Sequence, residues 1–356
     1  MNKSVTIGKR TISADAPCYI IAELSGNHNG DYARAEKIVE AAADAGADAI
    51  KLQTYTADTI TLNCDTKPFQ ITQGTLWDGT TLYRLYEEAY TPWEWHAPLQ
   101  KKAHELGLDF FSSPFDFSSI DYLENLNVPA YKIASFEITD IPLIRKAASF
   151  GKPLIISTGI ALKEDIALAL ETCREAGNEN VVLLKCCSAY PTPYEDINLK
   201  HMQMIADDFD CLVGLSDHTM GSTVAGAAVA LGACVVEKHL TLARADGGVD
   251  SAFSMEPAEF KKMVDDIRII EKAKGRATYE LSEKAMRERE HRRSLFVAKD
   301  MKKGDVFTPE SLRSVRPGDG LHTKHYEELL GKKVTRDVAY GTPVSWDFVE
   351  QMAKGV

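Results

Sequence analysis

The sequence contains no long apolar stretch. Of its 356 residues, 44% are hydrophobic and 26% are charged, which is the balance of an ordinary globular protein. No apolar run approaches the roughly 18 residues that a membrane-spanning helix needs. The segment 1–20 also lacks the continuous apolar core of a secretory signal. We therefore expect a protein that is neither bound to a membrane nor secreted.

Cysteine pairs at metal-binding or disulfide-like spacing are also missing. The seven cysteines are odd in number and scattered, with no CxxC pair, at positions 18, 64, 173, 186, 187, 211 and 234. Neither a zinc ribbon nor a disulfide framework is indicated. The adjacent Cys186 and Cys187 are interpreted as small buried hydrophobic residues rather than a redox pair. We expect a reducing, cytoplasmic compartment.

Positive charge is in deficit, with a formal net charge of −11. This argues against nucleic acid as a partner, because backbone phosphates are bound by clustered lysine and arginine. The basic run at 284–293 is interpreted as part of a solvated linker helix, because acidic residues are interspersed in it. A small anionic substrate remains compatible with this charge, since it responds to the local field inside a cleft.

What the sequence does contain is a regular alternation of short apolar runs and helical patterns. Eight runs rich in Val, Ile, Leu or Phe are typical of parallel strands buried on both faces. They lie at 19–23, 49–53, 109–113, 130–135, 153–158, 181–186, 211–216 and 234–239. The helical patterns between them include 32–45, 93–106 and 223–231, each followed by a glycine.

Eight strands with intervening helices fit either a closed (β/α)8 barrel or an open, doubly wound sheet. Polar side chains follow nearly every run. An open sheet gathers its site at one switch point, whereas a barrel brings the carboxyl ends of all its strands to one mouth. We therefore predict an α/β protein built on a (β/α)8 TIM barrel.

The character of the sequence changes towards the C-terminus. The segment from Ala258 to about Glu290 is predicted to be helical and densely charged, and residues 293–356 have the short β runs and turn signals of a small β-rich domain. A domain of about 60 residues buries little surface, so we expect it to dock on a barrel, its own or a partner's. The predicted division is 1–275, a linker at 276–292, and 293–356.

Two histidines follow the last two predicted strands, His218 beside Asp217 and His239 near Glu237. Strands seven and eight are neighbours in a barrel, so the two imidazoles can meet at one metal ion. A single histidine at such a position would more often hydrogen-bond a loop. Two histidines on neighbouring strands favour metal binding instead. Nitrogen and oxygen ligands with open positions suit Mn²⁺, Mg²⁺ or a similar ion rather than a closed structural zinc.

Lys51 and Lys132 follow strands two and four among apolar residues, and a buried ammonium needs a partner. An ion pair with Glu23 or Glu137 is one interpretation. A phosphate or carboxylate ligand is the second and is favoured, because nearby hydroxyls would complete an anion cradle: Ser135, Ser157, Thr158, Ser188 and Ser216. A Schiff-base lysine is the third, and the predicted metal makes it less attractive.

Glu23 ends the first strand and is followed by SGNHNGD, a turn-rich segment suited to a binding loop. A single glutamate can be structural. At a barrel mouth that holds a metal, it can instead orient or deprotonate a water molecule.

Taken in order, these segments resemble the N-acylneuraminate (sialic acid) synthase family. The motifs are IIAELSGNHNGD, KLQTYTADTITL, FFSSPFD, YKIASFEITDIPLI, STGIA, YPTP, GLSDHTMG, VVEKHLTL and RPGDG, and together they span about residues 17–350. The resemblance implies a TIM barrel followed by an antifreeze-like (SAF) domain. It also implies condensation of phosphoenolpyruvate with an open-chain N-acylated amino sugar, releasing phosphate. Residues 50–96 and 132–148 are most similar to the branch that makes pseudaminic acid.

The resemblance further implies roles for individual residues. Glu23, His218 and His239 would be catalytic, and the two histidines would bind a divalent ion, Mn²⁺, Mg²⁺ or Co²⁺. The residues implied to bind phosphoenolpyruvate are Lys51, Lys132, Ser135, Ser157, Ser188 and Ser216. Those implied to lie near the sugar are Gln53, Glu137, Tyr190, Glu237, Asp250 and Arg316. Arg316 would reach the site from the SAF domain of the partner in a domain-swapped homodimer.

Two alternatives remain at this point. The same chemistry can act on another N-acyl hexosamine, giving an N-acetylneuraminate or legionaminate synthase. A coat or assembly protein that retains an inactive barrel is the second. An inactive barrel would lack some of the charged residues expected at its mouth. This sequence has all of them: Glu23, Lys51, Lys132, His218 and His239.

Overall fold

An antiparallel hairpin at the N-terminus covers one end of a barrel in the computed structural model, which describes residues 1–72, 74 and 76–351. Its strands are β1 (Ser4–Ile7) and β2 (Arg10–Ser13). The amide of Asn2 donates to the carbonyl of Glu179, just before a barrel strand begins. The apolar side chains of the hairpin join the core of the barrel. No strands were expected in this segment from the sequence.

Eight parallel strands form the closed barrel. They pair in chain order, and the last pairs with the first. The strands are β3 (Tyr19–Glu23), β4 (Ala49–Thr54), β5 (Asp109–Pro114), β6 (Tyr131–Ile133), β7 (Leu154–Ser157), β8 (Val181–Cys186), β9 (Leu212–Asp217) and β10 (Val235–His239). The predicted (β/α)8 architecture is confirmed.

Nearly all strand residues are buried, because one face of each strand packs on helices and the other fills the barrel. β9 and β10 approach each other closely at Gly214, where a Cβ atom would lie 2.3 Å from the carbonyl oxygen of Val235. β6 is shorter than predicted, because the chain leaves the sheet after Ile133 and forms a 3₁₀ turn at Ser135–Glu137.

The helices of this unit surround the barrel or lie in its loops. They are α1 (Tyr32–Asp44), α2 (Ala57–Ile60), α3 (Leu82–Ala89), α4 (His96–Glu105), α5 (Phe117–Asn125), α6 (Ile141–Ser149), α7 (Lys163–Glu175), α8 (Lys200–Phe209), α9 (Thr223–Ala230) and α10 (Pro257–Lys274). α1 illustrates the pattern: Asp31 caps its first turn by accepting from the amide of Ala33. Its buried residues recur at helical spacing and face the sheet: Ala35, Ile38, Val39 and Ala42.

The predicted continuous helix from Ala258 to about Glu290 is wrong. α10 ends at Lys274, because Gly275 takes a positive φ of 55°, which glycine adopts readily and which does not continue the helix. A second, short helix, α11 (Glu283–Glu288), begins only after Ser282, whose side chain accepts from the amide of Ala285. The charged segment is therefore two helices separated by irregular chain.

The chain divides into two compact units, Met1–Gly275 and Arg276–Val356. The second unit contains α11, the antiparallel pair β11 (Ser294–Val297) and β12 (Leu312–Val315), and α12 (Tyr326–Leu329). It has its own hydrophobic core, whose largest members are Phe307 and Phe348. Residues 352–356 of the predicted C-terminal domain lie outside the described residues. No helix within the described ranges is both long and apolar enough to cross a bilayer.

Candidate active site

The carboxyl ends of the barrel strands carry a cluster of buried charged side chains. Glu23 at the end of β3 lies in register with Lys51 of β4 on one side and with His239 of β10 on the other. Lys132 on β6 and Glu237 on β10 are also buried. Because barrel active sites lie at this end, the cluster marks the candidate site.

Lys51 lies between two carboxylates. Its Nζ forms an ion pair with Oε2 of Glu23, lies 3.9 Å from Oε1 of Glu237, and donates to Oγ of Ser113 at 3.2 Å. Burial acts to lower the pKa of Lys51, but the two carboxylates outweigh it and raise the pKa. Burial raises the pKa of Glu23. Lys51 is therefore an ammonium, and Glu23 accepts a proton more readily than a solvated glutamate does.

Lys132 also lies beside Glu237. Its Nζ donates to Oγ of Ser157 at 2.8 Å and lies 3.5 Å from Oε1 of Glu237, which also accepts from Oγ of Ser216 at 3.3 Å. Burial lowers the pKa of Lys132. Although burial acts to raise the pKa of Glu237, the ammonium groups of Lys132 and Lys51 outweigh it and lower that pKa. Ion pairing of Lys51 with Glu23 is thus observed, whereas Lys132 pairs with Glu237 rather than Glu137.

Hydroxyl groups surround a small recess at Gly159, two residues after Ser157. A Cβ atom at Gly159 would lie 2.4 Å from Oγ of Ser188, 2.8 Å from Oγ of Ser135 and 3.2 Å from Sγ of Cys186. The Gly159 amide itself donates to Oγ of Ser135 at 3.1 Å. Hydroxyls and a nearby ammonium are the groups that bind phosphate or carboxylate oxygens. The predicted anion-binding residues therefore do converge.

The two predicted metal ligands lie side by side. The ring centroids of His218 and His239 are 5.2 Å apart, and Phe253 packs edge-on against both rings. Tyr190, predicted near the sugar, lies 4.5 Å from His218 between ring centroids. Burial lowers the pKa of His239 well below its ordinary value, so this ring is neutral. Imidazole must be neutral to bind a metal ion.

The residues present fit a divalent ion held by two protein nitrogens. Nδ1 of His239 is buried without a hydrogen-bond partner among the described residues. Nδ1 of His218 lies 3.1 Å from the carbonyl oxygen of Cys187. That contact favours a proton on Nδ1, which leaves Nε2 as the ligand atom. Within the described ranges no group of three or more His, Cys, Asp or Glu side chains is arranged around one ion. Water or substrate would thus fill the other positions.

A chain of hydrogen bonds runs from the charged cluster to the loop after β10. Nε2 of Gln53 donates to Oε1 of Glu23 at 3.1 Å and to Oγ of Ser25 at 3.0 Å. The Ser25 hydroxyl in turn donates to Oδ2 of Asp250. Burial raises the pKa of Asp250. Gln53 and Asp250, both predicted near the sugar, are therefore linked through Ser25.

The other predicted sugar contacts lie in different places. Glu137, in the turn after β6, has an Oε2 atom that is buried without a partner among the described residues. Burial raises the pKa of this carboxyl to about 7. Arg316 lies in the second unit, next to a cis peptide bond with Pro317, and its role stays a prediction.

Some relationships were missed from the sequence. Asp217 lies beside His218 in the chain, but its Oδ2 accepts from Nζ of Lys238 at 2.7 Å, because alternate strand residues face opposite sides. Cys186 is buried as predicted, yet its Sγ lies 3.8 Å from Nδ1 of His218, while Cys187 is only partly buried. Because Cys186 ends a predicted strand, its sequence position already indicated that it lies at the barrel mouth near His218.

Fold and site together define a (β/α)8-barrel protein whose mouth is lined by buried charged and hydroxyl side chains. Comparison with known sequences is more specific: the NeuB family matches residues 38–279 and the SAF domain matches residues 292–350. The chain therefore belongs to the NeuB family, and the resemblance and the C-terminal SAF domain expected from the motifs are confirmed.

Relatives of known name cover most of the chain. A pseudaminic acid synthase of Campylobacter jejuni is 48% identical over 92% of this chain and 96% of its own length. A pseudaminic acid synthase of Helicobacter pylori is 46% identical over 94% and 98%. The crystal structure of an N-acetylneuraminic acid (sialic acid) synthetase from Leptospira borgpetersenii, in complex with citrate, is 30% identical. It has a TM-score of 0.72 and covers 81% of this chain and 95% of that one.

Proposed function

We propose that this protein is a pseudaminic acid synthase. It condenses phosphoenolpyruvate with 2,4-diacetamido-2,4,6-trideoxy-L-altrose to give pseudaminic acid and phosphate. The observation that carries the proposal is the pair of buried lysines, Lys51 and Lys132, set among hydroxyls at the mouth of a NeuB-family barrel. The choice of sugar is supported by the pseudaminic acid synthases that are 46% and 48% identical to this chain.

Charge balance supports binding of phosphoenolpyruvate. Without ligands, the two lysines are offset by Glu23 and Glu237, so the cluster is close to neutral. Phosphoenolpyruvate brings at least two negative charges, which need additional cations or donors in a buried site. The hydroxyls of Ser135, Ser157, Ser188 and Ser216 supply donors. His218 and His239 would hold a divalent ion, which would supply the remaining positive charge and polarise the sugar aldehyde as a Lewis acid.

The chemistry then follows from the substrates and the residues present. The C3 carbon of phosphoenolpyruvate forms a bond to the aldehyde carbon as the C=O double bond opens, and the aldehyde oxygen takes a proton from solvent to become a hydroxyl. Positive charge develops at C2, where a water molecule adds. Glu23, oriented by Lys51 and Gln53, takes the proton of that water. The C2–O bond to phosphate then breaks as the hydroxyl that water left on C2 gives up its proton, which releases phosphate and leaves the 2-keto acid. Oxygen-18 in the bridging position therefore leaves with phosphate.

We also propose that the active form is a domain-swapped homodimer in the cytoplasm. Exposed apolar side chains follow four of the strands at the mouth, where a second copy can cover them: Phe136, Ile160, Leu162, Tyr194 and Met220. Arg316 of the second copy would then contact the sugar. Arg316→Ala is expected to raise the KM for the sugar while the KM for phosphoenolpyruvate stays unchanged. A fully active monomer in dilute solution would contradict the swap.

The direct test is phosphate release with three sugars in parallel, each with and without a chelator. The sugars are the L-altrose derivative, N-acetylmannosamine and the precursor of legionaminic acid. The proposal predicts turnover with the first sugar, at least tenfold higher kcat/KM than with the others, and loss of turnover on chelation. Preference for another sugar would overturn the pseudaminic assignment, and no release with any sugar would favour an inactive barrel.

A further inference from the structure

We propose that Ser25 is a positioning residue for the sugar substrate, acting by fixing the side chains of Gln53 and Asp250. The inference rests on the proposed function, because it concerns the same site. Ser25 follows β3 in the loop that begins directly after Glu23 and is only 2% exposed. No role was expected for it from the sequence.

The backbone of Ser25 is unusual for its residue type. Five non-glycine residues in the described ranges have positive φ, and the other four are asparagine or aspartate: Asn29, Asn127, Asn198 and Asp210. Those two types adopt the left-handed region most readily, because their short polar side chains bond locally. Ser25, with φ of 49°, adopts it without that advantage. A glycine would meet the backbone requirement more easily.

The side chain offers a reason for serine at this position. A hydroxyl has one donor and two acceptor sites. Here it accepts from Nε2 of Gln53 at 3.0 Å and donates to Oδ2 of Asp250. Neither glycine nor alanine can make both contacts. Asp250 lies 225 positions away on the loop after β10, so one hydroxyl joins the first and last strands of the barrel at the mouth.

The Gln53 amide is fixed by this contact. Its Nε2 donates to Oε1 of Glu23 as well as to Ser25, so both of its N–H groups are bound by protein atoms. Without the hydroxyl, one N–H loses its acceptor and the amide can rotate. The Asp250 carboxylate loses the Ser25 donor at the same time, and among the described residues it retains only the distant amide of Gly26 at 3.5 Å. Two predicted sugar contacts thus lose their orientation together.

Two substitutions separate this role from a purely structural one. Ser25→Ala removes the hydroxyl and keeps the backbone strain, whereas Ser25→Gly removes both. If Ser25 only shapes the turn, the glycine variant should be as active as the wild type. If the hydroxyl positions the sugar, both variants should show a KM for the sugar raised by about tenfold or more, the effect of losing a buried hydrogen bond. The KM for phosphoenolpyruvate should stay within about twofold.

Asn29→Gly is the matched control, because Asn29 lies in the same loop with φ of 52° and contacts the carbonyl of Gly247 rather than a predicted sugar ligand. Its kinetics should match the wild type. Wild-type kinetics of both Ser25 variants would overturn the inference and leave the proposed function intact. A wild-type enzyme that turns over no candidate sugar would instead overturn the proposed function.

A crystal structure of Ser25→Gly tests the inference without any turnover. The inference predicts that the Gln53 amide loses its contact to Glu23 or that the Asp250 carboxylate turns away from its present position. Unchanged side chains at both residues would contradict it. Thermal melting of each variant would establish that the protein analysed is folded.

Discussion

The two ends of the barrel differ sharply in what they bury. The amino end is covered by the β1–β2 hairpin, whose buried side chains are apolar: Val5, Ile7 and Ile12. The carboxyl end instead buries charged side chains, among them Lys51, Lys132, Glu23 and Glu237. Burying apolar groups stabilises a fold, whereas burying charges is unfavourable even when they are paired. We therefore expect substitutions at the amino end to change the free energy of unfolding, and substitutions at the carboxyl end to change the activity.

The largest expected effect is that of Lys132→Met at the carboxyl end. The methionine keeps the stem but removes the ammonium proposed to bind phosphoenolpyruvate, so kcat/KM for phosphate release should fall by about 10³-fold or more. Lys152→Met is the matched control, since Lys152 precedes β7 at the opposite end, where its partly buried side chain pairs with Glu124. It should retain activity within about twofold. A similar loss of kcat/KM in both variants would contradict the idea that activity depends on the carboxyl end alone.

The next effect concerns the proposed metal. After treatment with a chelator, added Mn²⁺ should restore turnover to the wild type. It should not restore turnover to His239→Asn, because this variant lacks one of the two proposed imidazole ligands. Metal content after dialysis, measured by elemental analysis, should fall in parallel. The exposed His104 provides the control substitution, His104→Asn, which should keep both metal and activity. Stoichiometric metal in the His239 variant would exclude that residue as a ligand.

At the amino end, Ile7→Ala should act on stability alone. Ile7 is fully buried in the hairpin, and truncating a buried isoleucine costs about 2–5 kcal/mol of the free energy of unfolding. Urea unfolding measures this loss, while kcat and KM at a temperature where the variant is folded should match the wild type. Ile269→Ala on the exposed face of α10 should cost less than about 0.5 kcal/mol. Loss of turnover by folded Ile7→Ala would show that the ends are coupled.

The smallest expected effect is a pH dependence from Glu137. Burial raises the pKa of this carboxyl to about 7, above its ordinary value of 4.5. Between these values the native state holds a proton that the unfolded chain releases, so the contribution of Glu137 to stability is present below about pH 4.5 and is lost as the pH rises to about 7. Relative to Glu137→Gln, the wild type should lose roughly 2–3 kcal/mol between pH 5 and pH 8. Parallel stability curves would contradict this.

The barrel was predictable from the sequence because its strands are buried on both faces and read as continuous apolar runs. Residues that end strands were likewise predictable as mouth residues, and Glu23, Lys51, Lys132, His218 and His239 do lie there. Partners were less predictable. The pairing of Asp217 with Lys238, and of Lys132 with Glu237, depends on which side of the sheet each residue faces.

Three other features were not predicted from the sequence. The hairpin β1–β2 alternates apolar and polar residues around Gly8–Lys9, a signal that is present but too short to stand out. The break after α10 depends on the positive φ of Gly275, which helical periodicity in the charged segment does not reveal. The link from Gln53 through Ser25 to Asp250 joins residues far apart in sequence and could be found only from coordinates.

The most direct test of the account is a crystal structure of the protein soaked with Mn²⁺ and phosphoenolpyruvate. The account predicts manganese within bonding distance of His218 and His239, with the phosphate oxygens contacted by Lys132 and Ser157. Manganese or phosphoenolpyruvate bound elsewhere, with these side chains unchanged, would contradict it.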